Sequence, residues 1–366
     1  MMRPYKKVFK MPTGLLAGIA AVTLTIASLL TACGAGGADQ TKQNGNHEAT
    51  AAVADHETEA TGQAKTDQTV KIGVMQYVEH PSLDQAYQGF LQRLHEAGYK
   101  EGENLKIDFQ NAQGEQANCQ TIAGQFAVGG YDLILAIATP AAQAALNAIE
   151  KTPILVTAVT DLESTQLVDS NDKPGGNLSG TSDMAPIPEQ IQLIKRMLPE
   201  AKTLGIIYSS GEANSEVQAV EAEQEAKKLG LAVKTVTISS TNEVQQVAES
   251  IMHEVDAVYL PSDNAIASSM MTVSNVAVGR KVPIFPAVEA MCAQGGLASI
   301  SINYQELGAQ TADMALRILE EGADPAEMPV ERQKKPRLVI NSEFAEEIGY
   351  QFSPELIAEA EEAKLD

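Results

Sequence analysis

Short apolar runs rich in β-branched residues alternate with longer amphipathic segments from residue 70 onward. The apolar runs, which predict strands, are 70–75, 105–109, 133–138, 154–158, 204–208, 232–237, 257–260, 282–285 and 297–302. The segments between them, which predict helices, include 81–97, 118–128, 212–229, 265–278 and 305–319. Such alternation is typical of α/β folds in which helices cover both faces of parallel sheets.

This alternating region divides into two similar halves. A Pro-rich stretch at 184–188 interrupts the pattern, which starts again near Lys202. The sequence Tyr-Asp-Leu-Ile-Leu around Asp132 has a counterpart, Val-Asp-Ala-Val-Tyr, around Asp256, and Thr139 and Asp263 keep the same spacing. Ligands of parallel sheets bind beyond the carboxyl ends of the strands. We therefore expect two lobes whose strand-to-helix turns face one cleft.

The first 32 residues have the pattern of a secretory signal. Basic residues precede an apolar run at 14–30, which ends in Leu30-Thr31-Ala32-Cys33-Gly34. Small residues before a cleavage point mark such signals. A Cys directly after them resembles the lipobox of bacterial lipoproteins, which predicts cleavage before Cys33 and a lipid on its thiol. The alternative is an uncleaved anchor, because 17 apolar residues approach the length of a membrane span.

A polar stretch follows the lipobox. Residues 34–68 have Val53 as their only larger aliphatic side chain, so we expect a disordered tether between Cys33 and a body that starts near Thr69. The protein is then expected on the outer face of the cytoplasmic membrane, held there by its lipid.

Charge and motif content exclude several classes of protein. The formal net charge of −22 argues against a nucleic-acid partner, since phosphate binding needs clustered Lys and Arg. The catalytic and nucleotide-binding motifs Gly-x-Ser-x-Gly, His-x-x-x-His, Walker A and Gly-x-Gly-x-x-Gly are absent, so we expect neither an enzyme nor a cofactor or metal. Cys119 and Cys292 fall in different halves and are expected to be buried free thiols.

Several stretches resemble the substrate-binding lipoproteins of ABC transporters, in the branch that takes up tryptophan or tyrosine. They are Lys-Ile-Gly-Val at 71–74, Ala-Val-Thr-Asp at 158–161, Pro-Gly-Gly-Asn-Leu-Ser-Gly-Thr at 174–181, Pro-Ser-Asp-Asn at 261–264 and Leu-Gly at 307–308. The resemblance implies the type I periplasmic-binding-protein fold, two Rossmann-like lobes joined by a three-crossing hinge. It also implies a membrane permease as partner for an expected monomer.

The resemblance places the hinge crossings near 180–183, 301–304 and 330–335. The N-lobe is then expected to comprise 69–183 and about 304–328. The C-lobe is expected to comprise 184–303 and about 329–366.

The expected ligand is a zwitterionic amino acid, most simply an aromatic one. Its carboxylate suits Thr139 at a helix N-terminus, and its ammonium suits Asp263 at the end of a C-lobe strand. Each residue has a simpler interpretation as a helix cap. The other candidate contacts also follow predicted strands: Gln76, Tyr77, Thr157, Thr160, Asp161, Tyr208, Ser209, Asn264 and Glu289. Tyr77 could stack on an aromatic ligand, whereas Asp161 could instead serve its own turn.

Two alternatives stay open at this point. The same bilobed fold can present its closed form to a receptor kinase, so that the protein acts as a sensor. The ligand can also be a non-aromatic amino acid, because the zwitterion contacts are the same.

Overall fold

A computed structural model describes residues 69–365; the predicted signal peptide, Cys33 and the predicted tether lie outside these residues. The strands are β1 (Val70–Gln76), β2 (Leu105–Asn111), β3 (Leu133–Ile137), β4 (Ile154–Val159), β5 (Leu178–Ser182), β6 (Thr203–Ser209), β7 (Ala232–Ile238), β8 (Ala257–Leu260), β9 (Ile284–Pro286), β10 (Ala298–Ser301), β11 (Glu331–Arg332), β12 (Arg337–Ile340) and β13 (Glu361–Glu362).

The helices are α1 (Pro81–Glu96), α2 (Gln116–Val128), α3 (Thr139–Ala148), α4 (Ile187–Met197), α5 (Ala213–Lys228), α6 (Val244–Ile251), α7 (Asn264–Ser268), α8 (Met270–Arg280), α9 (Glu289–Ala293), α10 (Tyr304–Glu321), α11 (Ser342–Ile348) and α12 (Pro354–Glu359). The single helix predicted over 265–278 is wrong, because Ser269 separates α7 from α8 with a φ of −117°. The hydroxyl of Ser268 donates to the carbonyl of Ala265, a local bond that competes with helix continuation.

The first sheet has the strand order β11-β5-β4-β3-β1-β2, and its pairs are parallel. Successive residues of β3 face opposite sides. Leu133 and Leu135 join the core cluster that contains α1 residues such as Phe90, whereas Ile134 joins the cluster that contains α2 residues such as Phe126. Both faces of the sheet are therefore buried, as the near-continuous apolar runs predicted.

The second sheet has the order β7-β6-β8-β9 and is also parallel. Strand β10 lies next to β9, where the amide of Leu297 donates to the carbonyl of Ile284. It also begins a small mixed sheet, β10-β12-β13, in which β12 runs antiparallel to β10. The predicted α/β class with parallel sheets is confirmed, with this one antiparallel pair as an addition that the sequence pattern did not indicate.

The chain passes between these sheets three times. We call the first sheet with α1, α2, α3 and α10 the first lobe, and the other two sheets with α4–α9 and α11 the second lobe. The crossings are 183–186 after β5, 302–303 after β10 and 333–336 after β11. Strand β11 pairs with β5, so the first sheet extends past residue 328. We propose lobe boundaries at these crossings.

The internal repeat corresponds to equivalent turns in the two lobes. Asp132, just before β3, accepts a hydrogen bond from the amide of Lys71 at 2.8 Å. Asp256, just before β8, accepts from the amides of Lys202 and Thr203 at 2.8 and 2.9 Å. Each carboxylate ties the start of one strand to its neighbour, so the two halves use the same residue for the same purpose.

Two further observations concern this part of the chain. Within residues 69–365 there is no helix long and apolar enough to cross a membrane. Cys119 and Cys292 are both buried and free, as predicted, and burial raises the pKa of the Cys119 thiol to about 11.

Candidate functional site

A polar cavity lies between the lobes at the carboxyl ends of the strands. The first lobe and its helix α10 contribute His80, Ser82, Leu83, Ala158, Thr160 and Tyr304. The second lobe contributes Asn214, Ser262, Asp263, Asn264, Ala267, Val288 and Met291, and Asp183 comes from the first crossing. The cavity is therefore where the strand-end rule places a ligand.

Unpartnered polar atoms converge on this cavity from both lobes. Five lining residues each carry a buried side-chain atom without a hydrogen-bond partner: His80 Nδ1, Ser82 Oγ, Asp183 Oδ1, Asn214 Oδ1 and Ser262 Oγ. Buried polar atoms in proteins almost always have partners, and each orphan costs about 1–3 kcal/mol. Five of them around one space indicate a surface built to bind a polar ligand.

Asp183 is the buried acid with a free oxygen in this group. It is 4% exposed, and its Oδ2 accepts a 2.5 Å hydrogen bond from the Tyr304 hydroxyl. Its Oδ1 has no hydrogen-bond partner, and Asp183 lines the cavity. Burial raises the pKa of Asp183, although the polar side chains of Tyr304 and Thr160 beside the carboxylate oppose this shift. A cationic group at Oδ1 offsets the cost of burying the carboxylate.

Two more acids lie on the second-lobe side, Asp263 in the cavity wall and Glu212 outside the lining, and backbone donors satisfy them. Asp263 caps α7 by accepting from the amide of Ile266 at 2.8 Å, and it accepts from the amide of Ser209 at 2.6 Å. Glu212 accepts from the amides of Asn264 and Ala265 at 3.1 and 2.9 Å. Unlike Asp183, Asp263 has both oxygens occupied.

Hydrogen bonds join the lobes around the cavity. His80 Nε2 lies 3.1 Å from Asn264 Oδ1, and Gln218 Nε2 donates to Thr160 Oγ1 at 3.1 Å. The Asn264 side-chain amide also donates to Glu212, which leaves Oδ1 of Asn264 as the acceptor for a proton on His80 Nε2. These contacts require the lobes to be closed.

Glu212 and His80 give the protein a pH dependence that can be worked out. Burial and the Asp263 charge raise the pKa of Glu212 to about 8, and burial lowers the pKa of His80 to about 4. Between about pH 4.5 and 8 the folded chain holds a proton on Glu212 that the unfolded chain has lost, so rising pH lowers the free energy of unfolding. Between about pH 4 and 6.5 His80 acts in the opposite direction.

We therefore expect the effect of Glu212 to be clearest between about pH 6.5 and 8, above the range of His80. There the free energy of unfolding should fall by up to about 1.4 kcal/mol per pH unit. Denaturant unfolding at several pH values measures this, and Glu212→Gln should flatten the profile. An equally steep fall in Glu212→Gln contradicts the assignment.

The structure brings three of the predicted contact residues to the cavity wall: Thr160, Asp263 and Asn264. Ser209 lies behind them, since its amide donates to Asp263. Tyr77 is half-buried and its hydroxyl donates to the carbonyl of Gly114 at 2.8 Å, outside the cavity lining.

The other predicted contacts lie further away. Gln76 donates to Asp84, and Thr157 accepts from Thr181 within the first sheet. Asp161 accepts from the amides of Glu163 and Ser164, as the turn interpretation predicted. Tyr208 stays on β6 outside the lining, and Glu289 pairs with Arg337 at 2.7 Å beside the second and third crossings. Their roles in ligand binding stay predictions that the cavity lining does not support.

Thr139 differs from its expected geometry. Helix α3 begins at Thr139 itself, with Ala138 in the cap position at a φ of 81°. The capping interpretation, with Pro140 at the first helical position, is therefore wrong by one residue. The Thr139 hydroxyl is buried without a partner, but it does not line the cavity.

Sequence reasoning did not include several lining residues among the predicted contacts. His80 and Ser82 follow β1, and Asn214 follows β6 together with Glu212 behind it. These are equivalent positions, because β1 and β6 occupy matching places in the two sheets. The residues predicted in these two turns, Gln76, Tyr77, Tyr208 and Ser209, lie at the strand ends, whereas the residues that line the cavity lie closer to the helix starts.

Two α/β lobes that close over a polar cavity define a solute-binding protein of the bilobed kind. The comparisons with known proteins give the family: residues 71–364 match the model of the ABC transporter substrate binding proteins, and the chain belongs to this family. This is a family of solute-binding proteins and not a class of enzymes.

Three relatives bear on the details. The tyrosine-binding protein of Clostridioides difficile (strain R20291) is 43% identical over 280 residues, which cover 76% of this chain and 81% of the relative. The structure of an ABC domain from Streptococcus pneumonia in complex with L-Trp is 41% identical, with a TM-score of 0.78 over 81% of this chain and 99% of that one. Both confirm the resemblance to the aromatic branch.

A third relative was solved without ligand in an open state. The ligand-free, open structure of a substrate-binding protein with adhesive properties from Clostridium difficile is 40% identical, covering 81% of this chain and all of that one. Its TM-score is only 0.62. The TM-score with the L-Trp complex is higher, 0.78, at a nearly equal identity.

Proposed function

We propose that this protein captures a zwitterionic aromatic amino acid between its lobes and delivers it to the permease of an ABC importer. The convergence of five unpartnered buried polar atoms from both lobes on one cavity carries the proposal. The acids of the wall call for a cationic group on the ligand. The helix N-terminus described next suits a carboxylate.

The ligand orientation follows from the wall chemistry. The ammonium group pairs with Asp183 Oδ1, which replaces Asp263 as the favoured partner because each oxygen of Asp263 already accepts a backbone hydrogen bond and Asp183 Oδ1 accepts none. The carboxylate lies at the N-terminus of α1, where the positive end of a 16-residue helix and the unpartnered Ser82 hydroxyl favour an anion.

The side chain of the ligand extends over the apolar part of the wall. Leu83, Val288 and Met291 supply this surface, and a Met sulfur makes favourable contacts with aromatic rings. The relatives support an aromatic ligand, because one is named as a tyrosine-binding protein and another was solved in complex with L-Trp.

The location of the protein rests on its N-terminal sequence. We propose cleavage before Cys33, a lipid on its thiol and attachment to the outer face of the cytoplasmic membrane, with 34–68 as the tether. Cells grown with labelled palmitate should yield labelled protein from the natural sequence and none from Cys33→Ala. Equal labelling of both contradicts the lipid anchor.

A direct binding experiment uses the absence of Trp from this chain. L-tryptophan is then the only indole in solution, and its fluorescence can be excited where tyrosine does not absorb. We expect a saturable change when the protein, unfolded and refolded to remove carried-over ligand, is added to L-tryptophan, and displacement by L-tyrosine. L-leucine serves as the non-aromatic control. No binding of any amino acid contradicts the proposal.

A further inference from the structure

Side-chain hydrogen bonds connect all three crossings of the hinge. Asp183 of the first crossing accepts from the hydroxyl of Tyr304, which directly follows the second crossing. Asn303, in the second crossing, exchanges two bonds with Gln333 of the third. The backbone amide of Asn303 donates to Gln333 Oε1 at 3.2 Å, and Gln333 Nε2 donates to the backbone carbonyl of Asn303 at 2.6 Å. We call Asp183, Asn303, Tyr304 and Gln333 the hinge clasp.

One end of the hinge clasp faces the ligand cavity. Asp183 and Tyr304 both line it and are 4% and 5% exposed. Asp183 Oδ1 is buried without a hydrogen-bond partner, whereas Gln333 does not line the cavity. A charge placed at Oδ1 therefore acts on a carboxylate that is hydrogen-bonded into the rest of the clasp.

Asn303 strengthens the connection to α10. Its side chain caps this helix by accepting from the amide of Glu306 at 2.8 Å. The clasp therefore fixes the start of the 18-residue helix that packs against α1, which presents His80 and Ser82 to the cavity. The position of the hinge and the position of the first-lobe wall are set by the same contacts.

We propose that the hinge clasp makes lobe closure depend on a cationic group at Asp183, with Tyr304 and Gln333 as positioning residues. This inference rests on the proposed function, since it assumes that the cavity binds a ligand with an ammonium group. When that group pairs with Asp183, the carboxylate is held against Tyr304, and the three crossings are locked in their closed geometry.

The test compares Tyr304→Phe and Gln333→Ala with two controls outside the hinge. The control Tyr259→Phe removes another buried hydroxyl, which donates to Gln190 at 2.7 Å, and Gln245→Ala removes an exposed glutamine on α6. We expect Tyr304→Phe to raise the dissociation rate of L-tryptophan by about 10-fold, which corresponds to about 1.4 kcal/mol, since hydrogen bonds to charged groups are stronger than those between neutral groups. Gln333→Ala should raise it about 3-fold or more, and both controls should leave it unchanged.

A double-mutant cycle separates a connected clasp from independent contacts. In a connected clasp the double variant Tyr304→Phe/Gln333→Ala should dissociate about as fast as Tyr304→Phe alone. Strictly multiplicative effects, or a dissociation rate for Gln333→Ala equal to that of Gln245→Ala, overturn the proposal.

Hydrogen exchange on the ligand-free protein distinguishes failure of the clasp from failure of the proposed function. Gln333→Ala should speed amide exchange at Asp183, Met184 and Ala185, although the hydrogen bonds described for Gln333 go to Asn303, while Gln245→Ala should not. If the natural protein binds no amino acid, the proposed function fails, and the exchange result still decides for or against the clasp. Unchanged exchange at Asp183, Met184 and Ala185 overturns it.

Discussion

Asp183→Asn should weaken the binding of L-tryptophan by about 30-fold or more. Removing one partner of a buried, hydrogen-bonded charge pair costs about 2–5 kcal/mol of binding free energy. Asn keeps an oxygen that can accept from Tyr304 and has nearly the same shape, so the hinge geometry is preserved. The folded protein should be as stable as before or more stable, because burial raises the pKa of Asp183 and the substitution removes that buried charge.

Titration calorimetry for affinity and thermal unfolding without ligand for stability check this result. Asp256→Asn is the matched control, because Asp256 accepts from the backbone amides of Lys202 and Thr203 and does not line the cavity. It should leave the dissociation constant unchanged. Equal affinities of Asp183→Asn and the natural protein would show that the ammonium group binds elsewhere, with Asp263 as the next candidate.

Gly308→Ala should cause a large loss of stability. Helices α1 and α10 approach so closely that a Cβ at Gly308 would lie 1.8 Å from the carbonyl oxygen of Ala86, and one at Gly89 would lie 1.9 Å from that of Gln305. Since both obstacles are backbone atoms, the helices must separate by more than 1 Å. Overpacking of this kind costs about 1–3 kcal/mol, and the separation also displaces the first-lobe wall.

Two other helical glycines give controls of the opposite sign. Gly124 on α2 and Gly279 on α8 are exposed, and a Cβ there meets no atom within 4 Å. Gly124→Ala and Gly279→Ala should each stabilise the fold by about 0.5–1 kcal/mol, since Ala is the better helix former. Denaturant unfolding measures all of these variants, and a stable Gly308→Ala with unchanged ligand affinity would contradict the close helix contact.

The α/β class could be predicted from local sequence patterns, but the order of the strands in each sheet could not. Apolar runs such as 133–138 and 257–260 predicted strands because parallel strands buried on both faces need continuous apolar side chains. The repeat around Asp132 and Asp256 could also be recognised in the sequence. It has a local cause, since both carboxylates accept from backbone amides at the start of a strand. Thr160, Asp263 and Asn264 followed from the rule that ligands bind at strand ends.

The rest of the site depends on contacts between distant parts of the chain. Asp183 is unremarkable in the sequence, and it becomes a buried acid with one free oxygen because Tyr304, which follows 121 residues later, donates to it. Local patterns also could not show that Asp263 has no free oxygen, since one of its donors is the amide of Ser209 from another strand. The choice between these two acids as ammonium partner therefore required the structure.

The proposed function requires the cavity to recognise both charges of an aromatic amino acid. Titration calorimetry with L-tryptophan, tryptamine and indole-3-propionate separates the two charges, because tryptamine lacks the carboxylate and indole-3-propionate lacks the ammonium group. We predict tight binding of L-tryptophan and binding at least about 30-fold weaker for each analogue, corresponding to 2 kcal/mol or more per lost charge contact. Equal affinity for L-tryptophan and indole-3-propionate would contradict the account, since Asp183 would then have no cationic partner.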